Sequence, residues 1–350
     1  MQRDTMRLGI LGLGRIGTHH ARELLALGGA DRPVVEQLVV AGGRPGSADR
    51  AAAALGNRVR AVDSPADVLA AGLDGVVVAA PTADHPRLVA AAVAAGLPVL
   101  VEKPLAASVA EARALVEEIG GSAVPVSVGF QRRFDAGYSA ARAAVGSGEL
   151  GFVHTVRAST LDPAPPPAGY LAGSGGIFRD CGVHDLDAVR WVLGQEVVHV
   201  FATGSSRSDA LAGTSVFADA GDVDTAAAVL TFADGTLGVV SNTRFNGRGY
   251  DCRLEVLGSA DSIAAGLDDR TPLRSVEPGV TFPAGSPWDF FIDRFTDAYA
   301  AQLAQFTEVV AGRAEPVCPP ADALETARLA DACTRSLREG RPVLLTEVPA

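Results

Sequence analysis

The sequence predicts two α/β domains in series: a doubly wound parallel sheet, then an α+β domain with a mostly antiparallel open sheet. Three observations predict this. A glycine-rich turn joins the first apolar run, Arg7 to Leu11, to a helical pattern; strand, helix, strand units repeat as far as Gly129; beyond that point alternating runs succeed one another through hairpin-type turns. A chain of 350 residues is too long for one ordinary core, so two domains are expected, at 1–130 and 131–350.

Composition narrows the function classes. With 48% hydrophobic and 20% charged residues the chain reads as globular and not disordered. Its 30 basic against 41 acidic residues, a net charge of −11, disfavour a nucleic-acid or anionic-membrane partner. Cys181, Cys252, Cys318 and Cys333 are scattered, with no Cys-x-x-Cys pair, so neither a metal site nor a disulfide set is expected and a reducing cytoplasm fits. A patterned strand begins within a few residues of the N-terminus, so no cleavable signal is expected. The longest apolar candidate for a membrane span, Leu88 to Val101, is broken by Gly96 and Pro98.

Taken in order, the first strand leads into Gly12-Leu13-Gly14-Arg15-Ile16-Gly17 and a helix through Ala21, Leu24 and Leu25. G-x-G-x-x-G between strand and helix is the Rossmann dinucleotide fingerprint: a tight turn, close backbone approach to a pyrophosphate, and close helix packing. A second strand, Val34 to Val40, ends at Ala41-Gly42-Gly43-Arg44. An acid at the position of Gly42 would bind the adenosine ribose and repel a 2′-phosphate; none is present, and Arg44, with Arg50, leans the reading from NAD towards NADP. Arg44 as a plain solvated charge is the alternative.

After a helix near Ser47 to Leu55, the apolar run Gly75 to Ala80 reads as a strand covered on both faces. It ends at Pro81-Thr82-Ala83-Asp84-His85, where Thr82 and His85 are candidates for the cofactor groove, His85 alternatively serving as a helix cap. A helix from Pro86 to Ala95 precedes the strand Pro98 to Val101, at whose end stand Glu102-Lys103-Pro104. Proline steers the preceding residue out of helical geometry, so Lys103 is held extended over the edge where a nicotinamide would lie. The strand Val124 to Gly129 then runs into Gln131-Arg132-Arg133.

A helix from Gly137 to Val145 opens the second half, followed by a strand from Phe152 to Thr160 and a proline-rich loop at Pro163, Pro165, Pro166 and Pro167. Gly175 to Asp187 reads GGIFRDCGVHDLD. Asp180 and His184, four apart, are expected on one helix face, with Asp187 on the same polar stripe and Val183, Leu186, Val189 and Leu193 behind. A histidine oriented by a carboxylate is a candidate general base, an exposed helical pair being the alternative. Alternating runs at Val197 to Thr203, Ala226 to Phe232, Leu237 to Arg244 and Asp251 to Leu257 follow, with Ala233-Asp234-Gly235 as a hairpin turn, and helices at Arg294 to Val310 and Ala321 to Arg338 close the chain.

These segments together resemble the Gfo/Idh/MocA oxidoreductase family, and within it the inositol 2-dehydrogenases. The resemblance rests on the glycine motif, PTADH, EKP at 102–104, GFQRRFDAGY at 129–138, GGIFRDCGVHDLD, and FFIDRFTDAY at 290–299. It implies hydride transfer from a secondary ring hydroxyl of a cyclitol or sugar to NAD or NADP, with Lys103, Asp180 and His184 catalytic. It also implies Gly12, Gly14, Arg15, Ile16, Gly17, Gly42, Arg44, Pro81, Thr82, His85, Glu102 and Gln131 at the cofactor, and Arg132, Tyr250 and Tyr299 at the substrate. Thr160-Leu161-Asp162-Pro163 departs from the His-Arg-Asn-Pro of some inositol dehydrogenases, which leaves the substrate's far side open, with Thr160 and Asp162 as candidates there; an amino-cyclitol, amino-sugar or aldose is the alternative substrate, an ammonium group suiting Asp162. The family commonly forms homodimers or homotetramers. A non-catalytic dinucleotide sensor is the remaining alternative.

Overall fold

The computed structural model describes residues 5–29 and 34–349. They form two compact units, the first containing residues up to Gln131 together with Asp297–Leu324, the second containing Arg132–Thr296 and the chain from Glu325 onward.

The first unit holds six strands: β1 (Met6–Leu11), β2 (Val35–Ala41), β3 (Val59–Ala61), β4 (Gly75–Val78), β5 (Val99–Glu102) and β6 (Val126–Gly129). All neighbours pair in parallel, in the order β3-β2-β1-β4-β5-β6. This is the doubly wound order of a Rossmann sheet, in which the strand order reverses beside β1 and ligands settle at the strands' carboxyl ends. Every residue of β4, β5 and β6 is buried, as their unbroken apolar runs require. Leu303 and Phe306, from the late helix Thr296–Val310, pack in the same core cluster as Leu8, Ile10, Leu24, Leu38, Val77 and Leu100. The first unit is therefore not continuous in sequence.

The second unit contains β7 (Val153–Leu161), β8 (Val197–Ser205), β9 (Thr225–Phe232), β10 (Leu237–Thr243), β11 (Asp251–Gly258), β12 (Ser262–Ala265) and β13 (Val343–Leu344). Their order is β12-β11-β7-β10-β9-β8-β13. Only β7 and β10 run parallel; the other neighbours are antiparallel. β9 and β10 form the expected hairpin, with Gly235 at φ 92° and Asp234 accepting from the Thr236 amide. Their residues alternate between buried and exposed, so one face is covered while the other is open.

Two helical expectations need correction. The pattern Arg294 to Val310 is interrupted at the fully buried Phe295, giving helices Phe291–Arg294 and Thr296–Val310. The segment bearing Asp180 and His184 is likewise two helices, Ile177–Asp180 and Val183–Leu193, separated at Cys181 and Gly182. Gly182, at the second break, is packed closely: a Cβ there would stand 2.6 Å from Asn242 Oδ1. Among the described residues no helix is long and apolar enough to cross a membrane, and the four cysteines carry thiols.

Candidate active site

In the first unit the site is built from backbone. Gly12 turns at φ 100°, and a Cβ there would meet Ala79 O at 2.5 Å. One on Gly17 would meet Gly12 O at 2.1 Å, so the helix Arg15–Ala26 rests directly on the turn. A Cβ on Gly14 would meet nothing within 4 Å, and Gly14 starts the helix with no side-chain cap. The middle glycine thus faces open space at a helix N-terminus, which suits a pyrophosphate. Arg15 beside it is exposed and Ile16 half-buried. These residues fit a dinucleotide.

At the end of β2, the space a side chain would need at Gly42 is filled by the Ser47 hydroxyl, 1.9 Å from the ideal Cβ, which donates to Arg44 O. An acid at this position would have to displace Ser47. Arg44 and Arg50 are exposed.

Beyond β4, Pro81 is exposed and Thr82 half-buried. His85 is buried: its Nδ1 lies 2.8 Å from Pro104 O and its Nε2 2.9 Å from Ala80 O. It clamps the loop after β4 to the Lys103–Pro104 segment, a structural role beside the groove position expected of it. Glu102 is also buried, its carboxylate 2.6 Å from His20 Nε2. Lys103 follows directly on the last residue of β5, with a cis peptide to Pro104. Tyr299, from the late helix, lies edge-on to both His19 and His20 at 5.2 and 5.7 Å between ring centroids. Gln131 is buried, with no hydrogen-bond partner for its amide oxygen.

In the second unit the site is built from buried charge. Gly175 and Gly176, both at positive φ, admit the chain to the one-turn helix Ile177–Asp180. Asp222 Oδ1 accepts from the Ile177 amide at its start (2.8 Å), and Asp180 closes its end. Arg244, 1% exposed, spans the two carboxylates: it donates to Asp180 Oδ2 at 3.1 Å and lies 3.7 Å from Asp222 Oδ2. The other Asp180 oxygen accepts from the Tyr170 hydroxyl at 2.9 Å. Burial alone would lower the Arg244 pKa, but Asp180 and the other acidic neighbours raise it above its ordinary value, so its charge is permanent. Burial pushes the Cys181 thiol well up, keeping it neutral.

His184 stands in the first turn of Val183–Leu193, half-buried, while its sequence neighbours are buried. Gly194 at φ 64° ends that helix, as expected. Asp187, however, does not share a surface stripe with His184. It is buried, accepting two bonds from Arg133 at 2.7 and 3.0 Å and one from Thr326. Asp185 is buried too, bound to Arg132 (2.5 Å) and Asn242 (2.7 Å). Arg132 spends its other terminal nitrogen on the buried Thr160 hydroxyl at 2.6 Å. Arg132 and Thr160, expected at the substrate, are bonded to each other and, through Asp185, tie the His184 helix to β7 and β10.

Three of the segments quoted for the resemblance, at 129–138, 175–187 and 290–299, meet in this network: Asp135 caps the helix Ala136–Ser147 and accepts from Arg294 at 2.8 Å, while the guanidinium of Arg132 lies 5.5 Å from the Phe295 ring centroid. Tyr250 is buried edge-on to Phe295, and burial pushes its phenol well above the ordinary range. Asp162 is half-buried beyond β7, its backbone bonded to Thr243 and Asn246. Sequence reading missed Arg244, Asp222, Asn242, Tyr170 and His20. Only His20 left a local signal, a histidine pair inside an otherwise apolar helix face.

Comparison with known proteins agrees with this architecture. Residues 6–130 match the model described as an oxidoreductase family with an NAD-binding Rossmann fold, and residues 138–264 match the GFO/IDH/MocA C-terminal domain. The chain is 37% identical over 340 residues to an inositol 2-dehydrogenase of Rhizobium meliloti, covering 97% of this chain and 99% of that protein. It is 34% identical over 344 residues to a scyllo-inositol 2-dehydrogenase (NAD(+)) of Bacillus subtilis, covering 97% and 96%. Among solved structures, a myo-inositol dehydrogenase from Corynebacterium glutamicum superposes with a TM-score of 0.86 at 36% identity, covering 99% of this chain and 100% of that one. With both domain models matched and the relatives aligned nearly end to end, the chain belongs to the Gfo/Idh/MocA family of oxidoreductases.

Proposed function

We propose that the protein oxidises a secondary ring hydroxyl of an inositol-like cyclitol to a ketone, with NAD as the hydride acceptor. One observation carries this reading: a carboxylate held on both oxygens, Asp180 between Tyr170 and Arg244, closes the short helix that precedes His184, in a chain whose near full-length relatives are named inositol dehydrogenases.

In this mechanism the substrate C–H electron pair leaves as hydride, its O–H proton passes to His184, and the carbonyl forms between them. Asp180 orients the imidazole and offsets its positive charge, while Lys103 hydrogen-bonds the reacting oxygen and stabilises negative charge developing there. Nicotinamide, when bound, takes up the hydride. Burial raises the Tyr250 pKa well above its ordinary value, which makes this phenol a poor base. The name of the Bacillus subtilis relative supports NAD, whereas exposed Arg44 and the missing acid at Gly42 support tolerance of NADP.

The test is the initial rate on myo-inositol with NAD and with NADP, in wild type and His184→Ala. A positioned base contributes about 10²–10⁴-fold, so the variant should fold, bind cofactor and lose about that much turnover. Turnover near the wild-type value would overturn the assignment of His184. Activity confined to amino-cyclitols would instead bring Asp162 forward as the ammonium partner.

The open sheet face supports a homodimer or homotetramer. Glu255, Arg157, Val239, Val229 and Phe201 are successive cross-strand neighbours, and the last three form an exposed apolar row. Val229→Asp should lower the mass measured by light scattering if a second copy covers this face. Buried thiols on all four cysteines suit a cytoplasmic location.

A further inference from the structure

We propose that Tyr170 is a specificity-determining residue that recognises the substrate hydroxyl next to the carbon being oxidised, an inference that rests on the cyclitol reading above. Arg244 and Tyr170 both bond Asp180, and they differ in what they can meet. Arg244 is 1% exposed, so its side of the carboxylate is sealed in protein. Tyr170 is 52% exposed, yet its hydroxyl turns onto Asp180 Oδ1 at 2.9 Å. An aromatic ring open to solvent with its polar tip fixed on a carboxylate has the form of a binding-site wall.

The geometry sets the polarity of the contact. Because the phenol has one proton and that proton goes to the carboxylate, the phenolic oxygen meets a ligand as an acceptor. A substrate hydroxyl can supply the donor, and the chain substrate O–H to Tyr170 O–H to Asp180 then runs in one direction, each bond polarising the next. The cyclitol reading sets Asp180 on the imidazole of the base, so the Tyr170 hydroxyl bonded to Asp180 borders the reacting centre on the side of the neighbouring ring carbon. No bond is made or broken in this contact.

The platform carrying Tyr170 is preset. The residue lies in the short helix Ala168–Ser174, its amide donating to Pro167 O at 2.8 Å, directly after Pro165, Pro166 and Pro167. Three successive fixed φ angles limit the freedom this segment would otherwise lose on binding. The same stretch follows Thr160-Leu161-Asp162-Pro163, where the chain departs from the pattern of some inositol dehydrogenases.

The experiment crosses two enzymes with two substrates: wild type and Tyr170→Phe, each assayed for kcat/KM on myo-inositol and on the monodeoxy cyclitol lacking the hydroxyl next to the oxidised carbon. Wild type should prefer inositol, and Tyr170→Phe should shrink that preference by about tenfold, mainly through KM on inositol. Tyr170→Gln, which keeps a polar tip, should recover part of it. If Tyr170→Phe slows both substrates by the same factor, Tyr170 merely steadies Asp180 and the proposal falls. An unchanged ratio overturns it as well. Wild type inactive on both cyclitols, while binding NAD, overturns the cyclitol reading and this inference with it, and is distinguished by its showing before any variant is made.

Discussion

The candidate site residues of the first unit work through main chain, whereas those of the second are side chains held by other side chains. Around Gly12, Gly14 and Gly17 the essential property is the absence of a Cβ, and the residues concerned lie within six positions. Around Asp180 and His184 the essential property is compensated buried charge, and its partners come from Tyr170, Asp222, Arg244, Asn242, Arg132 and Arg133. A backbone device can be lost by adding one methyl. A charge network is lost by removing one partner, because the other is then stranded in low dielectric.

Several substitutions sharpen that contrast, and the largest effect should come from the charge network. Arg132→Met leaves Asp185 buried with only Asn242, and should cost about 3–5 kcal/mol in denaturant unfolding. A loss below 1 kcal/mol would mean the pair is dispensable. Gly17→Ala drives a Cβ into Gly12 O and should cost about 1–3 kcal/mol while abolishing dinucleotide binding by titration calorimetry. Gly14→Ala is the informative counterpart. Its Cβ meets nothing in the protein, so stability should change by less than about 0.5 kcal/mol while NAD affinity drops, separating packing glycines from ligand glycines.

The fold was legible where local pattern decides it. The glycine turn, the apolar runs of β4 and β5, the β9–β10 hairpin and the helix Ser47–Leu55 each announce themselves within a dozen residues. Strands β3 and β13, of three and two residues, are too short to show any period. The helix break at Cys181–Gly182 was illegible for a different reason. The spacing of Asp180, His184 and Asp187 satisfies a continuous helix, and the close approach of Asn242 to Gly182, 60 residues on, leaves no trace in it. The same holds for the site: Asp180 and His184 were visible as residues, but Arg244 and Tyr170 become relevant only once folding sets them on the carboxylate.

The smallest effect concerns pH. Burial, then the neighbouring His20, lowers the His19 pKa below its ordinary 6.5. The unfolded chain therefore binds the proton more tightly. Stability associated with neutral His19 is complete above pH 6.5 and is lost as pH falls through the lower folded value. His19→Asn should flatten the decline of thermal midpoint on acidification from neutrality. An unchanged slope would place the titrating group elsewhere.

The contribution of Leu303 and Phe306 to the first core bears on synthesis. A ribosome has released every strand of the parallel sheet once residue 129 has emerged, yet two of the side chains that seal it follow more than 170 residues later. The nascent sheet must wait through translation of the second unit with an unfilled hydrophobic surface where the late helix belongs. A chain stalled before residue 297 should accordingly be cleaved by protease within its first 131 residues more readily than the released protein, and should be a better client for holdase chaperones.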